Sequence, residues 1–227
     1  MTVAPLPAGA TIGILGGGQL GRMLAVAAAR LGYRTHVYEP AASPPAGDVA
    51  HRVTTAPYED EAALARFADS VDVVTYEFEN IPTSALDAIE ARRPIHPGRR
   101  ALAVSQDRLK EKAFLTDLGL VTAPFAAVDD AEDLAEAIGA IGCPAILKTR
   151  RLGYDGKGQV RLSSAADAAT ALAAMAGAPA ILEGFVDFIH EVSDTRPGLR
   201  GIEKIVAFGE DEVSAGGDRK RTSNRLL

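Results

Sequence analysis

The sequence predicts an α/β fold built as two successive units, and three observations carry that prediction. Short apolar runs alternate with amphipathic stretches through the first hundred residues, the pattern of strand, helix and parallel strand. A glycine-rich turn, Gly16 to Gly21, falls directly between the first apolar run and the first amphipathic stretch. After Pro97–Gly98 a charged, helix-favouring segment intervenes, and the alternation then restarts in a smaller unit.

In chain order, the apolar runs Thr11–Leu15, Thr35–Tyr38 and Val71–Thr75 are the expected strands of the first unit. Helices are expected over Gln19–Leu31, over Asp60–Ala68, and from the cap candidate Thr83 to Ala91. Pro40–Asp48, rich in Pro, Ala and Gly, is expected to be a surface loop. Arg99–Leu118 is a helical stretch broken near Ser105 and closed by Gly119, which places a boundary near residue 100. Beyond it come a strand at Pro124–Val128, a helix at Ala131–Ile141 and strands at Ala145–Lys148 and Gln159–Leu162. A helix at Ala165–Met175 and a strand at Ala180–Leu182 complete the second unit. From Asp194 to Leu227 one apolar patch, Ile202–Phe208, sits among glycine and charge without a sustained period, so no packed element is assigned there.

Composition sets the outer limits. The chain has 227 residues, 47% hydrophobic and 24% charged, enough for each unit to bury a core. A net charge of −6 offers no overall positive field, so neither nucleic acid nor a membrane surface is an expected partner. The single cysteine, Cys143, excludes an internal disulfide and a cysteine-based metal site, and suits a reducing compartment such as the cytoplasm. Met1–Ala10 lacks the order of a signal peptide, and the apolar stretch Leu24–Leu31 is too short to span a bilayer and contains Arg30.

Three motifs carry chemistry. In ILGGGQLGRM, Gly16, Gly18 and Gly21 keep a G-x-G-x-x-G spacing between a strand and a helix, where backbone amides and the helix dipole can approach an anion. Glu39 ends the second strand, at about the distance where a dinucleotide site holds a ribose hydroxyl. Alone, this supports a nicotinamide or flavin enzyme, a different phosphate site, or a tight turn with no ligand. In TYEFENIP, Glu77 and Glu79 stand two apart at a strand's carboxyl end, and an extended backbone would put both carboxylates on one side, opposite Tyr76 and Phe78. In AILKTRRLGYDGKGQ, Lys148 ends an apolar strand and a loop with Gly153, Gly156 and Gly158 follows, carrying Tyr154, Asp155 and Lys157. A strand-borne lysine can neutralise phosphate oxygens from a fixed direction while such a loop folds over them. The loop lacks the G-K-[ST] ending of a Walker motif.

Two weaker pieces flank the third motif. Arg108 in SQDRLKEK could reach a phosphate from a helix start, although Lys110 and Lys112 also read as a solvated charged face. LEGFV, Leu182 to Val186, ends a strand with an acid, Glu183, a segment type whose backbone often grips an adenine ring.

In this order, GGGQLGRM, TYEFENIP, SQDRLKEK, AILKTRRLGYDGKGQ and ILEGF resemble the ATP-grasp superfamily, and within it the 5-(carboxyamino)imidazole ribonucleotide synthases of purine biosynthesis. The resemblance covers Thr11 to Ser193, and TYEFEN with GYDGKGQ is its most specific part. It implies a Rossmann-like pre-ATP-grasp domain over residues 1–100, a small α+β lid over 101–182, and the start of a carboxy-terminal ATP-grasp domain over 183–193. The implied reaction is the ATP-dependent carboxylation of 5-aminoimidazole ribonucleotide by bicarbonate through carboxyphosphate. Carried over by motif, the ATP residues are Arg108, Lys148, Gly153, Tyr154, Asp155, Gly156, Lys157, Gly158, Gln159, Glu183, Gly184, Phe185, Val186 and, for the ribose, Glu191. Gly16, Gly18, Gln19, Leu20 and Gly21 would contact the ribotide together with Glu77 and Glu79, and Glu77, Tyr154 and Lys148 would be the catalytic residues. Magnesium or manganese is implied, with its ligands expected in a part of the family fold not matched here, and full-length relatives are implied to be homodimers.

The family pattern stops after HEVS, and residues 194–227 form an aberrant tail, expected to be poorly ordered, as after a frame change or truncation. Little or no turnover is therefore expected of this chain. The rival readings are another ATP-grasp enzyme of the purine pathway, such as formate-dependent glycinamide ribonucleotide transformylase, a non-catalytic nucleotide-binding fragment, and an NAD-binding oxidoreductase.

Overall fold

The computed structural model describes residues 5–153, 157–187, 190–194, 204–208 and 225–226, the last three segments as backbone only. The chain divides into two units, Met1–Ala103 and Val104–Leu227.

The first unit is a four-stranded parallel sheet in the order β3-β2-β1-β4, formed by β1 (Thr11–Leu15), β2 (Arg34–Tyr38), β3 (Arg52–Thr54) and β4 (Val73–Tyr76). Strand β3 was not expected; three residues, Arg-Val-Thr, are too few to show an alternation. Neighbouring residues of β1 point to opposite faces and both are buried, because helices cover both sides of the sheet. Ile14 packs with Val37, Ala25 of α1 (Gln19–Arg30) and Ala46. Leu15 packs with Tyr38, with Leu64 and Phe67 of α2 (Glu61–Asp69), and with Leu86 and Ile89 of α3 (Ala85–Glu90). Asp60 caps α2 by accepting from the Ala63 amide at 2.8 Å. For α3 the expected cap, Thr83, is displaced by Ser84, whose side chain makes no capping bond.

The expected helical break appears between α4 (Arg99–Ser105) and α5 (Arg108–Asp117), where Asp107 caps α5 through the amides of Leu109 and Lys110. The second unit has a sheet in the order β6-β9-β7-β8, from β6 (Phe125–Val128), β7 (Ala145–Thr149), β8 (Gln159–Leu162) and β9 (Ala180–Gly184), all antiparallel. Its inner face carries Ala145, Leu147, Leu162 and Leu182 against Leu134 of α6 (Ala131–Ile141) and Ala171 of α7 (Ala168–Ala174). The other face of β7 carries Ile146 and Lys148, and this alternation sets the side on which Lys148 stands.

A second sheet joins β5 (Val121–Thr122) to β10 (His190–Asp194), β11 (Lys204–Phe208) and β12 (Arg225–Leu226) in the order β10-β11-β12-β5. The apolar patch left unassigned in the sequence thus supplies β11, paired antiparallel with β10 through Val206 and Val192. Five residues, KIVAF, make a strand once a partner is present, and no period is needed for so short a run. Among the described residues no helix is long and apolar enough to cross a membrane.

Candidate functional site

In the first unit the glycine turn follows β1 and opens α1, and two carboxylates from neighbouring strand ends hold it. Glu39, just past β2, accepts from the Gly17 amide at 2.8 Å and from the Ala41 amide at 3.0 Å. Glu77, just past β4, accepts from the Gly18 amide at 2.8 Å, while its own amide donates to the Leu15 carbonyl at 3.1 Å. Gly16 has φ +95°, and a Cβ there would lie 2.5 Å from Glu77 Cγ and 3.0 Å from Phe78 Cδ1. Glycine is therefore required by both backbone and space. Two of the amides that could have faced an external anion are already given to carboxylates, and Glu39, the acid a dinucleotide ribose would need, already accepts from the Gly17 and Ala41 amides.

Tyr58 closes this cluster. It stacks on Tyr38 with ring centroids 5.6 Å apart. Its hydroxyl is enclosed beside Gly16, whose N–H already donates to the Tyr38 carbonyl, and it has no hydrogen-bond partner among the described residues. Burial pushes the Tyr58 phenol up, and the charges of Glu39 and Glu77 push it the same way. Gln19 and Leu20 stand exposed on the first turn of α1, and Gly21 is buried against the Gly16 carbonyl. Beside the turn lies an open cleft of about 550 Å³, bordered by Gln19, Arg22, Ser43, Asp48 and Thr55.

The expected pairing of Glu77 with Glu79 does not form. Strand β4 ends at Tyr76, and Glu77–Asn80 is a bend and turn, so the two-residue alternation lapses where the acids begin. Glu77 reaches the glycine turn, whereas Glu79 accepts from its neighbour Asn80 Nδ2 at 3.2 Å. Tyr76 and Phe78 both pack on the same core cluster.

In the second unit the chemistry gathers on the face of the β7–β9 pair opposite α6 and α7. Ile146 pairs with Glu183, so Lys148 and Glu183 are diagonal neighbours on one face. Lys148 Nζ lies 3.0 Å from Glu183 Oε2, and Lys112 Nζ from α5 lies 3.3 Å from the same oxygen. The side chains of Lys112 and Glu183 are only 6% and 4% exposed, that of Lys148 19%. The sequence reading of Lys112 as part of a solvated face is thus corrected: it lies four residues after Arg108, on the same side of the helix, and turns inward. Its signal was that spacing, masked by charged neighbours.

Arg108, expected to reach a phosphate from the helix start, is engaged by the chain itself. Its guanidinium donates to the Thr149 carbonyl at 2.8 Å and the Gly153 carbonyl at 2.9 Å, pinning the start of the glycine loop. A Cβ at Gly153 would sit 3.0 Å from both terminal nitrogens of Arg108. Arg150 grips Asp107 with two bonds, 3.2 and 2.7 Å, which the sequence reading missed, and this ties the start of α5 to the end of β7. In the segment expected to grip adenine, the amides of Gly184 and Phe185 already donate to the carbonyls of Pro124 and Pro144. Arg161 stacks over the Phe185 ring at 4.3 Å. Lys157, Gly158 and Gln159 are exposed. Tyr154, Asp155 and Gly156 lie outside the described residues, as does the side chain of Glu191 on β10. Among the described residues no group of three or more His, Cys, Asp or Glu could hold a metal ion.

A family model of the ribonucleotide synthetase pre-ATP-grasp domain matches residues 9–106, and a model of the ATP-grasp domain matches residues 113–196. An N5-carboxyaminoimidazole ribonucleotide synthase from Brucella melitensis is 56% identical over 195 residues, which cover 85% of this chain and 54% of that relative. The chain is a homologue of the N5-carboxyaminoimidazole ribonucleotide synthases. A solved N5-carboxyaminoimidazole synthetase from Staphylococcus aureus, complexed with ADP, is similar with a TM-score of 0.79 at 40% identity, over 83% of this chain and 50% of that one. An N5-carboxyaminoimidazole synthase from Aspergillus clavatus, in complex with ADP and 5-aminoimidazole ribonucleotide, gives 0.73 at 29% identity, over 82% and 49%. The chain spans about half the length of these relatives. The carboxylate-held glycine turn falls within the pre-ATP-grasp match, and the Lys112–Glu183–Lys148 cluster within the ATP-grasp match.

Proposed function

We propose that this chain carries nucleotide- and ribotide-recognition elements of an enzyme that carboxylates 5-aminoimidazole ribonucleotide with ATP and bicarbonate, by way of carboxyphosphate. One observation carries the reading most: two lysines converge on a buried carboxylate beside a glycine-rich loop, in a segment homologous to enzymes solved with ADP. Such a group suits phosphoryl transfer, which needs positioning and charge neutralisation more than covalent help. In this reading Lys148 faces the phosphates, with Arg108 and the loop from Gly153 through Tyr154, Asp155, Gly156, Lys157 and Gly158 to Gln159. Glu183, Gly184, Phe185 and Val186 border the adenine, and Glu191 takes the ribose. The ribotide belongs to Gly16, Gly18, Gln19, Leu20 and Gly21, with Glu77 and Glu79 beside its amine.

Magnesium or manganese would supply charge neutralisation on the phosphates, but the described residues offer no cluster that fits it. We read the chain as binding its ligands with little turnover of its own, in the cytoplasm, its full-length relatives pairing as homodimers. Calorimetric titration of the 227-residue chain with ATP, NAD and 5-aminoimidazole ribonucleotide tests this: ATP and the ribotide should bind, and NAD should not. Binding of NAD without ATP would sink the proposal. Release of ADP that depends on ribotide and bicarbonate would overturn the absence of turnover, and release supported by formate and glycinamide ribonucleotide instead would move the assignment to the rival enzyme.

A further inference from the structure

Among the described residues, the cluster on the β7–β9 face holds more positive charge than its carboxylate can balance. Lys112 and Lys148 approach the same oxygen of Glu183, so two ammonium groups share one negative charge in a nearly closed setting. An uncompensated charge of that kind is expensive to bury, and a methionine or leucine at position 112 would serve packing at no such cost. The geometry that aims Lys112 is nonetheless firmly built. Asp107 caps α5 and is clamped by Arg150, and Arg108 anchors the same turn to Thr149 and Gly153, so the helix cannot swing its lysine away without breaking those bonds.

We propose that Lys112 is a positioning residue of the nucleotide site: by sharing Glu183 it leaves the Lys148 ammonium only partly neutralised, and so available to a phosphate of a nucleoside di- or triphosphate. The inference rests on the nucleotide reading given above. Without Lys112, Glu183 and Lys148 form a closed neutral pair, and the site loses the net charge that attracts an anion.

The test compares ADP with uncharged adenosine, titrated into the 227-residue chain and its Lys112→Met variant. Removing one charge within a few ångströms of the phosphates should weaken ADP roughly 10- to 100-fold, while adenosine affinity stays within about twofold because no charge interaction is lost. Lys112→Arg, which keeps a positive charge beside Glu183, should hold ADP affinity within about threefold of wild type. If the wild-type chain binds neither ligand, the nucleotide reading itself fails. If wild type binds ADP and Lys112→Met binds it equally well, or loses both ligands alike, or Lys112→Arg binds ADP no better than Lys112→Met, the role of Lys112 is overturned. Should the methionine variant not fold, Lys112→Gln with the same two ligands decides the matter.

Discussion

Lowering the pH towards 5 protonates an exposed histidine at little cost, but His36 sits in the core of the first unit, only 2% exposed. Its ring is bonded at both nitrogens, Nδ1 to Ser70 Oγ and Nε2 to Thr54 Oγ1, each at 2.8 Å. Ser70 already donates its proton to the Phe67 carbonyl at 2.7 Å, so Ser70 Oγ can only accept. The neutral ring must then carry its proton on Nδ1, and Nε2 accepts from Thr54. Burial pushes the imidazole down, with Arg52 and then His51 adding to the effect, from 6.5 to about 4. A histidine with a lowered folded pKa contributes stability that is complete above the unfolded pKa and is lost as the pH falls towards the folded one. Here the loss begins near pH 6.5 and is complete below about 4. At about 1.4 kcal/mol per unit the whole window is worth about 3 kcal/mol, of which about 2 kcal/mol disappears between pH 7 and pH 5. Urea denaturation read through tyrosine fluorescence measures this well, because the chain has no tryptophan and four of its five tyrosines, Tyr33, Tyr38, Tyr58 and Tyr76, lie in this unit. The proton signal of the His36 ring should show no titration above pH 5. A ring that titrates near pH 6.5, or a stability flat across the window to within about 0.5 kcal/mol, would refute the reasoning.

Further expectations follow from the same contacts. Gly16→Ala forces a side chain into φ +95° and against Glu77 and Phe78, and should cost about 3 kcal/mol in urea denaturation of the first unit. Asp107→Ala removes both the cap of α5 and a partner of Arg150, and should lower the stability of the second unit by about 3 kcal/mol. Burial pushes the Asp107 carboxyl up, but the bonds from Arg150 and the α5 amides outweigh it and hold the group below its usual range. Its contribution is thus present above the unfolded pKa of 3.8 and lost as the pH falls below it, so Asp107→Ala and wild type should converge in stability in strong acid. Lys148→Met should weaken ADP binding at least tenfold in calorimetry, and an unchanged affinity would remove Lys148 from the phosphate site.

The fold was largely legible because its strands and helices repeat over lengths that a period can reveal. Ala131–Ile141 was read to the residue, since its cap, Asp130, and its apolar spacing agree with its C-terminal Gly142. What escaped was short or borrowed. The three residues of β3 show no alternation, and KIVAF becomes a strand through pairing with HEVSD on one side and Arg225–Leu226 on the other. The site was legible by residue type but not by partner. Lys148 and Glu183 were both singled out, yet their contact comes from the register Ile146 to Glu183, across 35 residues of chain. Lys112 was discounted because charge on a helix usually means solvent, and only the sheet beneath the helix reverses that presumption.

The two clusters also differ in the sign of what they leave uncommitted, and that difference narrows which part of a ligand each can serve. A G-x-G-x-x-G turn usually offers amides to an anion, but here the Gly17 and Gly18 amides are given to Glu39 and Glu77. The turn therefore presents carboxylates, and a phosphate approaching those two amides would have to displace them against like charge. Hydroxyl and amine donors meet no such obstacle, and they are what an aminated ribotide presents away from its own phosphate. The second unit holds the opposite surplus, two ammonium groups on one carboxylate. A polyphosphate is suited to that surplus and unsuited to the glutamates of the turn. On the proposed reading, then, the motif that most looks like a phosphate loop in the sequence serves donors, and phosphate recognition falls to Lys148, which its motif announces, with Lys112, which none does. Replacing Glu77 by Gln tests the first half of this argument: with the carboxylate charge gone, affinity for the ribotide should fall while affinity for ADP holds, and the reverse pattern would show that the turn serves the phosphate chain after all.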